Sequence, residues 1–232
     1  MSELVALVPF SSDDPSRIAI WDWLRVWWEK RLGIPIFVGE HNGELFNISL
    51  ARNRAAEKAG DWQMAIILDA DTFVMPEQIV KGVVLAKQTG ALVFPFTQRW
   101  ELTLEGTEML LRDEESDWQS NARRHRWTSN SGCAIVTREL WDLVHGYDPG
   151  FVGWGHEDGA FSLMCQKLSD TPIERIEGKL WHMEHNPQES KKRNSPIYMA
   201  NEQRWLKYAK AAKQEDAIDQ LNKLRAETLK MH

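Results

Sequence analysis

The stretch Ile66-Ile67-Leu68-Asp69-Ala70-Asp71-Thr72-Phe73-Val74 decides how this chain is read, because three large aliphatics run straight into two carboxylates one residue apart. An uninterrupted apolar run fits a strand buried on both faces, as in a sheet covered by helices. Side chains at i and i+2 of an extended segment point the same way. Asp69 and Asp71 are therefore expected to face one small site in the crevice beyond the carboxyl ends of the strands, a good place for a divalent metal. The competing reading makes the aspartates mere caps of a helix that Pro76-Glu77 opens. For the dipeptide alone the plainer reading is preferred, and the segments further along decide between the two.

Upstream, Leu4-Val5-Ala6-Leu7-Val8 is another buried strand, broken by Pro9. Ser12, Asp13 and Pro15 supply turn and cap chemistry, after which Ile18, Trp21, Leu24, Trp28 and Leu32 recur at helical spacing until Gly33. Ile34-Pro35-Ile36-Phe37-Val38 is the next strand, so the chain opens β-α-β with a right-handed crossover. Residues 46–59 read as a helix closed by Gly60, residues 76–89 as a helix ended by Gly90, and Ala91-Leu92-Val93-Phe94-Pro95-Phe96 as a further strand. This alternation predicts an α/β fold with a Rossmann-like, mostly parallel central sheet flanked by helices. Pro9-Phe10 and Asp69-Asp71 both fall at the carboxyl ends of strands and should be neighbours.

The 232 residues suffice for one substantial core, and 43% hydrophobic with 27% charged residues is ordinary globular composition. The apolar runs are short and Met1-Ser2-Glu3 opens no leader-like segment, so a chain without a membrane span, cytoplasmic and not secreted, is expected. Cys133 and Cys165 lie in apolar surroundings and read as free buried thiols. A net charge of -6 argues against a protein that works by coating nucleic acid. Most of the 12 tryptophans are expected in the core, with some free to stack on flat sugar faces or bases along a groove.

Residues 97–130 show weak periodicity, with acidic residues over 112–117 and the basic run Arg123-Arg124-His125-Arg126 between Trp118 and Trp127. They read as a solvated excursion; basic side chains interleaved with aromatics would alternatively meet a phosphorylated or nucleic-acid acceptor. Ser131-Gly132-Cys133-Ala134-Ile135-Val136 is a strand, and residues 138–144 form a short helix. Then comes Gly146-Tyr147-Asp148-Pro149-Gly150-Phe151-Val152-Gly153-Trp154-Gly155-His156-Glu157-Asp158-Gly159-Ala160-Phe161. Glycines around an indole allow close backbone approach to a ligand, and Glu157-Asp158 open the following helix, either as plain caps or with one acid as a general base.

Leu180-Trp181-His182-Met183-Glu184-His185 supplies two histidines three apart. A lone histidine is ordinarily structural, but a Mg²⁺- or Mn²⁺-like ion on the aspartates accepts further O or N donors. Residues 188–194, with Lys191, Lys192 and Arg193, resemble a loop able to close on a charged donor. Leu206, Ala209, Ala217, Leu221, Leu224 and Leu229 suggest amphipathic C-terminal helices that pack on the core or pair subunits. The division expected is a catalytic domain over 1–198 with a helical extension over 199–232.

Together these stretches resemble the metal-dependent glycosyltransferases of the GT-A fold, in the group of the β-1,4-galactosyltransferases and polypeptide N-acetylgalactosaminyltransferases. The resemblance rests on Val8-Pro9-Phe10, Ala51-Arg52-Asn53-Arg54-Ala55, Asp69-Ala70-Asp71 as a DxD motif, and Gly153-Trp154-Gly155-His156-Glu157-Asp158. It implies a nucleotide site with Pro9 and Phe10 on the base, and Arg52, Lys191, Lys192 and Arg193 toward the donor. Asp71 becomes the primary metal ligand, with Asp69 as support on the ribose side. The late histidine of the family corresponds to His182, narrowly preferred, or His185. By the same resemblance Asp158 is the base, Glu157 binds acceptor beside it, and Trp154 and Gly155 line the acceptor site. His156 stands where the galactosyltransferases have glycine, and Gly159 where they continue with acid, so retention of configuration stays open as an alternative to inversion.

The function these features imply is transfer of a sugar from a nucleoside diphosphate sugar, foremost a UDP-sugar, to a hydroxyl acceptor with Mn²⁺ or Mg²⁺. The acceptor is a glycan or glycolipid, or second, a modified DNA base. From another class, a non-catalytic nucleotide- or carbohydrate-binding module on the same scaffold is the alternative, and a two-metal phosphohydrolase lacks the further acids it would need.

Overall fold

The computed structural model describes residues 2–126, 129–185 and 195–229. The first strand, β1 (Ser2–Pro9), leads into helix α1 (Pro15–Leu32), strand β2 (Ile36–Gly39), helix α2 (Ile48–Ala59) and strand β3 (Trp62–Leu68). Beyond them come β4 (Thr72–Val74), α3 (Pro76–Thr89), β5 (Val93–Phe94), β6 (Gln98–Leu102), α4 (Leu104–Arg112) and β7 (Ala122–Arg124). The remainder is β8 (Cys133–Thr137), α5 (Arg138–Val144), α6 (Glu157–Ser169), β9 (Glu174–Arg175), β10 (Lys179–His182), α7 (Pro196–Ala211) and α8 (Ala217–Leu229).

The main sheet has the order β2-β1-β3-β8-β5-β9. Neighbours run parallel except at β8, which is antiparallel to both β3 and β5. The expected mostly parallel sheet flanked by helices is thus present. Val5 to Val8 of β1 and Ala65 to Leu68 of β3 are buried, as strands covered on both faces must be. Asp14 caps α1 by accepting the Ser16 N–H, Pro15 sits at the first helical position, and Gly33 closes it in the left-handed conformation. At the end of β2 a Cβ on Gly39 would overlap the Ala51 carbonyl oxygen, so glycine is what lets α2 lie against the strand.

Residues 97–130 depart from the excursion the sequence suggested. They contain β6, α4 and β7, and a second sheet of order β4-β10-β6-β7 is built around them. Their partner is distant in sequence: β6 runs parallel to β10, with Trp100 opposite Trp181. Local periodicity cannot reveal a ladder whose other strand lies some eighty residues away. Aromatic rings join this sheet to α1. Phe73 touches Trp23, Trp27 and Trp118, and Trp118 meets Trp181 edge-on at 4.9 Å. Most indoles in the described residues are therefore core, as expected; Trp127 lies outside them.

Two local readings also change. The β3 strand stops at Leu68, and Asp69 to Asp71 form a turn, closed by Thr72 N–H donating to the Asp69 carbonyl at 3.3 Å, rather than an extended segment. The aspartates do not cap α3 either, because its N-cap is Met75, whose backbone N–H is taken by the Gln78 side chain. Helix α7 starts at Pro196 and runs through the boundary drawn at 198, and α7 and α8 both pack against α6. Cys133 and Cys165 are free and buried, and burial holds both thiols protonated. No helix among the described residues is long and apolar enough to cross a membrane.

Candidate active site

The β3–β4 turn holds the two aspartates in one cavity of about 280 Å³, but gives them different partners. Asp69 donates its backbone N–H to the Gly132 carbonyl at the head of β8, and the Asp71 carbonyl accepts from Met183 N–H just past β10. That second bond, with the antiparallel register that sets His182 opposite Thr72, delivers the late histidines to the turn. His185 Nε2 lies 3.0 Å and His182 Nε2 3.9 Å from Asp71 Oδ2. One donor atom from each of these three residues falls within 4.8 Å of the others. The sequence left a choice between the histidines; the fold brings both. Asp69 stands outside this trio and is paired with Arg52.

A carboxylate with two imidazoles fits a borderline cation such as Mn²⁺ better than Mg²⁺, which prefers an all-oxygen, largely hydrated shell. Next to the trio stands Arg17 of α1, whose Nη1 is 3.5 Å from His185 Nε2.

The glycine-tryptophan turn supplies Gly153, Trp154, Glu157 and Asp158 to the same lining. Gly153 and Gly155 have positive φ (71° and 116°), and His156 takes the left-handed conformation before α6 begins at Glu157. Helix α2 anchors this turn from beneath. The Asn53 side chain accepts from Tyr147 N–H at 2.9 Å and donates to the Tyr147 carbonyl at 2.8 Å, while Asn47 Nδ2 donates to the Pro149 carbonyl. Glu157 is buried, accepts the Gly155 N–H at 2.9 Å and still lines the cavity.

Asp158 Oδ1 accepts from Arg52 Nη1 at 2.8 Å and from the Tyr147 hydroxyl at 3.2 Å, and Oδ2 has no hydrogen bond among the described residues. Its side chain is 14% exposed, enough for one hydroxyl to reach it. Burial raises the Asp158 pKa, Arg52 opposes, and the carboxylates of Glu157 and Asp69 add to the rise, leaving it well above the usual carboxylate range.

Arg52 was expected to touch the donor. It is only 1% exposed, forked between Asp69 (2.6 Å) and Asp158 (2.8 Å) and stacked on Tyr147, so it braces the two carboxylates from behind. Pro9 lines the cavity, which makes the first strand and the aspartates neighbours as anticipated. Phe10 does not line that cavity and packs on Trp21. Trp154 is 36% exposed, lines the cavity and stacks on Tyr198 of α7, whereas Gly155 is buried with Tyr198 against it. Lys191, Lys192 and Arg193 lie outside the described residues.

Several contributors went unnoticed in the sequence. Arg17 and Arg99 line the cavity with Glu44, Leu45 and Phe46. Asn201 of α7 binds the acceptor-side turn three times, donating to the Val152 and Trp154 carbonyls and accepting from Val152 N–H. Below it, Asp148 holds Arg204, Tyr208 and Arg225. Arg17, eight residues after the end of β1 and in the first turn of α1, had a position that could have flagged it; the others offered no local signal.

Comparison with known proteins agrees with this fold. Residues 117–186 match a family model described as the N-terminal domain of galactosyltransferase. No curated protein matches the chain by sequence. Among solved structures, the catalytic domain of Drosophila beta1,4-galactosyltransferase 7 in complex with xylobiose superposes with a TM-score of 0.60 at 16% identity, over 87% of this chain and 80% of that one. GalNAc-T7 with UDP, GalNAc and Mn²⁺ gives 0.52 at 14% identity over 98% of this chain and 54% of that one. S. aureus TarS 1-349 with UDP-GlcNAc gives 0.53 at 10% identity, over 98% and 71%. The chain has the GT-A fold and resembles the galactosyltransferases and N-acetylgalactosaminyltransferases that share it.

Proposed function

We propose that this protein is a metal-dependent glycosyltransferase that moves a sugar from a UDP-sugar to a hydroxyl acceptor with inversion at the transferred carbon. One observation carries the reading: a single cavity is lined both by Asp71, His182 and Asp69 and by Asp158 with Glu157. His185 joins the metal donors from behind Asp71. Mn²⁺, when bound, offsets the negative charge that develops on the departing diphosphate.

The chain's own groups do the rest. Asp158 Oδ2 takes the proton of the acceptor hydroxyl as its oxygen bonds to the sugar carbon, and the bond from that carbon to the diphosphate breaks. Arg52 and Tyr147 hold Oδ1, which fixes the carboxylate's orientation and leaves the other oxygen for the acceptor. Trp154 offers an aromatic face for an acceptor sugar. The UDP-sugar assignment is supported by relatives of this fold: a Drosophila beta1,4-galactosyltransferase 7 mutant complexed with manganese, UDP-Gal and xylobiose (TM-score 0.58, 15% identity), and TarS with UDP-GlcNAc.

The acceptor favoured is a glycan or glycolipid hydroxyl, because Trp154 offers an exposed indole face beside Asp158 in the cavity lining. A modified DNA base is the second reading, supported by the exposed basic edge Arg123, Arg124 and Arg126, the first of them 76% exposed. Release of UDP from a panel of UDP-sugars, with Mn²⁺ or chelator and with glycan or DNA fractions added, tests the proposal. Metal-dependent release stimulated by one fraction supports it. Nucleotide binding without turnover on any donor would favour a non-catalytic module.

A further inference from the structure

Arg17 lines the cavity beside the three metal donors, and no carboxylate pairs with it among the described residues. Its Nη1 faces His185 Nε2 at 3.5 Å, and that same nitrogen faces Asp71 Oδ2 at 3.0 Å. Arg17 Nε is buried with no hydrogen-bond partner among the described residues, and no ion pair to Arg17 occurs among them. Arg99, also in the cavity lining, likewise has a buried Nε without a hydrogen bond, but it has a carboxylate neighbour, Glu101 at 3.7 Å, and bonds Ser131 at 3.3 Å, whereas Arg17 has no carboxylate among the described residues.

A divalent ion taking the lone pair of His185 Nε2 would stand beside the Arg17 guanidinium and be repelled by it. A group with several negative charges lying between the two cations reverses the sign of that interaction. The guanidinium fork matches two phosphate oxygens, which a point charge cannot do.

Resting on the transferase reading above, we propose that Arg17 grips the diphosphate of the donor and thereby couples nucleotide and metal binding: each is weak alone, and each strengthens the other.

The test is calorimetric titration of Mn²⁺ into the full chain with and without UDP, for wild type, R17Q and R17K. UDP should tighten Mn²⁺ binding to wild type, and by linkage Mn²⁺ should tighten UDP by the same factor. In R17Q that factor should fall about tenfold or more, the size expected when a charge-assisted hydrogen bond is lost. Mn²⁺ alone should bind R17Q at least as well as wild type, because a repelling neighbour is gone. R17K, which keeps the charge and loses the fork, should fall between the two and serves if R17Q does not fold. Wild-type coupling retained in R17Q or R17K, or weaker binding of Mn²⁺ alone to R17Q, overturns the proposal. A wild-type chain that binds no UDP even with Mn²⁺ overturns instead the transferase reading beneath it.

Discussion

Replacing Asp158 by asparagine separates the chemistry of the site from its architecture. Asparagine keeps a carbonyl oxygen where Oδ1 accepts from Arg52 and Tyr147, so the brace behind the turn survives in outline. The stability cost is limited by a sign argument. Burial and the nearby Glu157 and Asp69 carboxylates raise the Asp158 pKa in the fold, against the pull of Arg52. A carboxyl whose folded pKa is raised contributes stability below its unfolded pKa and loses it as pH rises through the folded value. The ionised form is penalised by burial but pairs with the buried Arg52, which in D158N keeps only Asp69 as a charged partner, so D158N should stay folded and melt somewhat below wild type. Catalysis should respond very differently: loss of a positioned general base slows proton removal about a hundred- to ten-thousand-fold. Initial rates of transfer from a UDP-sugar at saturating Mn²⁺, with UDP affinity measured in parallel, provide the assay. The expected pattern is a collapse of kcat with UDP binding kept. The wild-type rate should also rise with pH through a value above the ordinary carboxylate range, and D158N should lose that limb. Transfer by D158N within a few-fold of wild type would refute the base assignment.

Other perturbations probe the remaining parts. D71N should abolish Mn²⁺-dependent turnover, and H185A should weaken Mn²⁺ by more than the roughly 10- to 100-fold typical of losing an outer partner; unchanged Mn²⁺ affinity in titration would remove His185 from the ligand set. N201A deletes three hydrogen bonds to the turn at Val152 and Trp154, and should raise the acceptor KM and lower stability by about 1–3 kcal/mol in denaturant unfolding, while UDP affinity stays put. For Asp148, burial alone would raise the pKa, but hydrogen bonds from Arg204, Tyr208 and Gly150 outweigh it and lower the pKa. That carboxylate stabilises the fold above its unfolded pKa and loses the contribution as pH falls through the folded one, so melting temperature should drop in acid. D148N, which strands Arg204 and Arg225, should cost about 3–5 kcal/mol at neutral pH and show a flatter acid response.

Much of the fold was legible because its signals are local. Continuous apolar strands, helix caps such as Asp14 and Pro15, and stops such as Gly33 act within a few residues of themselves. The second sheet was not legible, since β6 and β10 are short, partly polar and paired across a long separation. The same divide runs through the site. Asp69, Asp71, Glu157, Asp158 and the late histidines could be picked out by residue type, spacing and resemblance. Arg52 could be picked out but not placed, because only the packing of α2 against the turn puts it behind the carboxylates instead of before them.

By itself, then, the order of residues determined an α/β sheet with acids at one rim and a glycine-tryptophan turn preceding two further acids, since periodicity and backbone freedom are properties of neighbouring residues. Tertiary structure alone decided that both histidines meet Asp71, that Arg17 shares one of their nitrogens, and that α7 holds the turn bearing Trp154. Those are distances between segments far apart in the chain, and they are set by strand register and helix packing rather than by anything a local window contains.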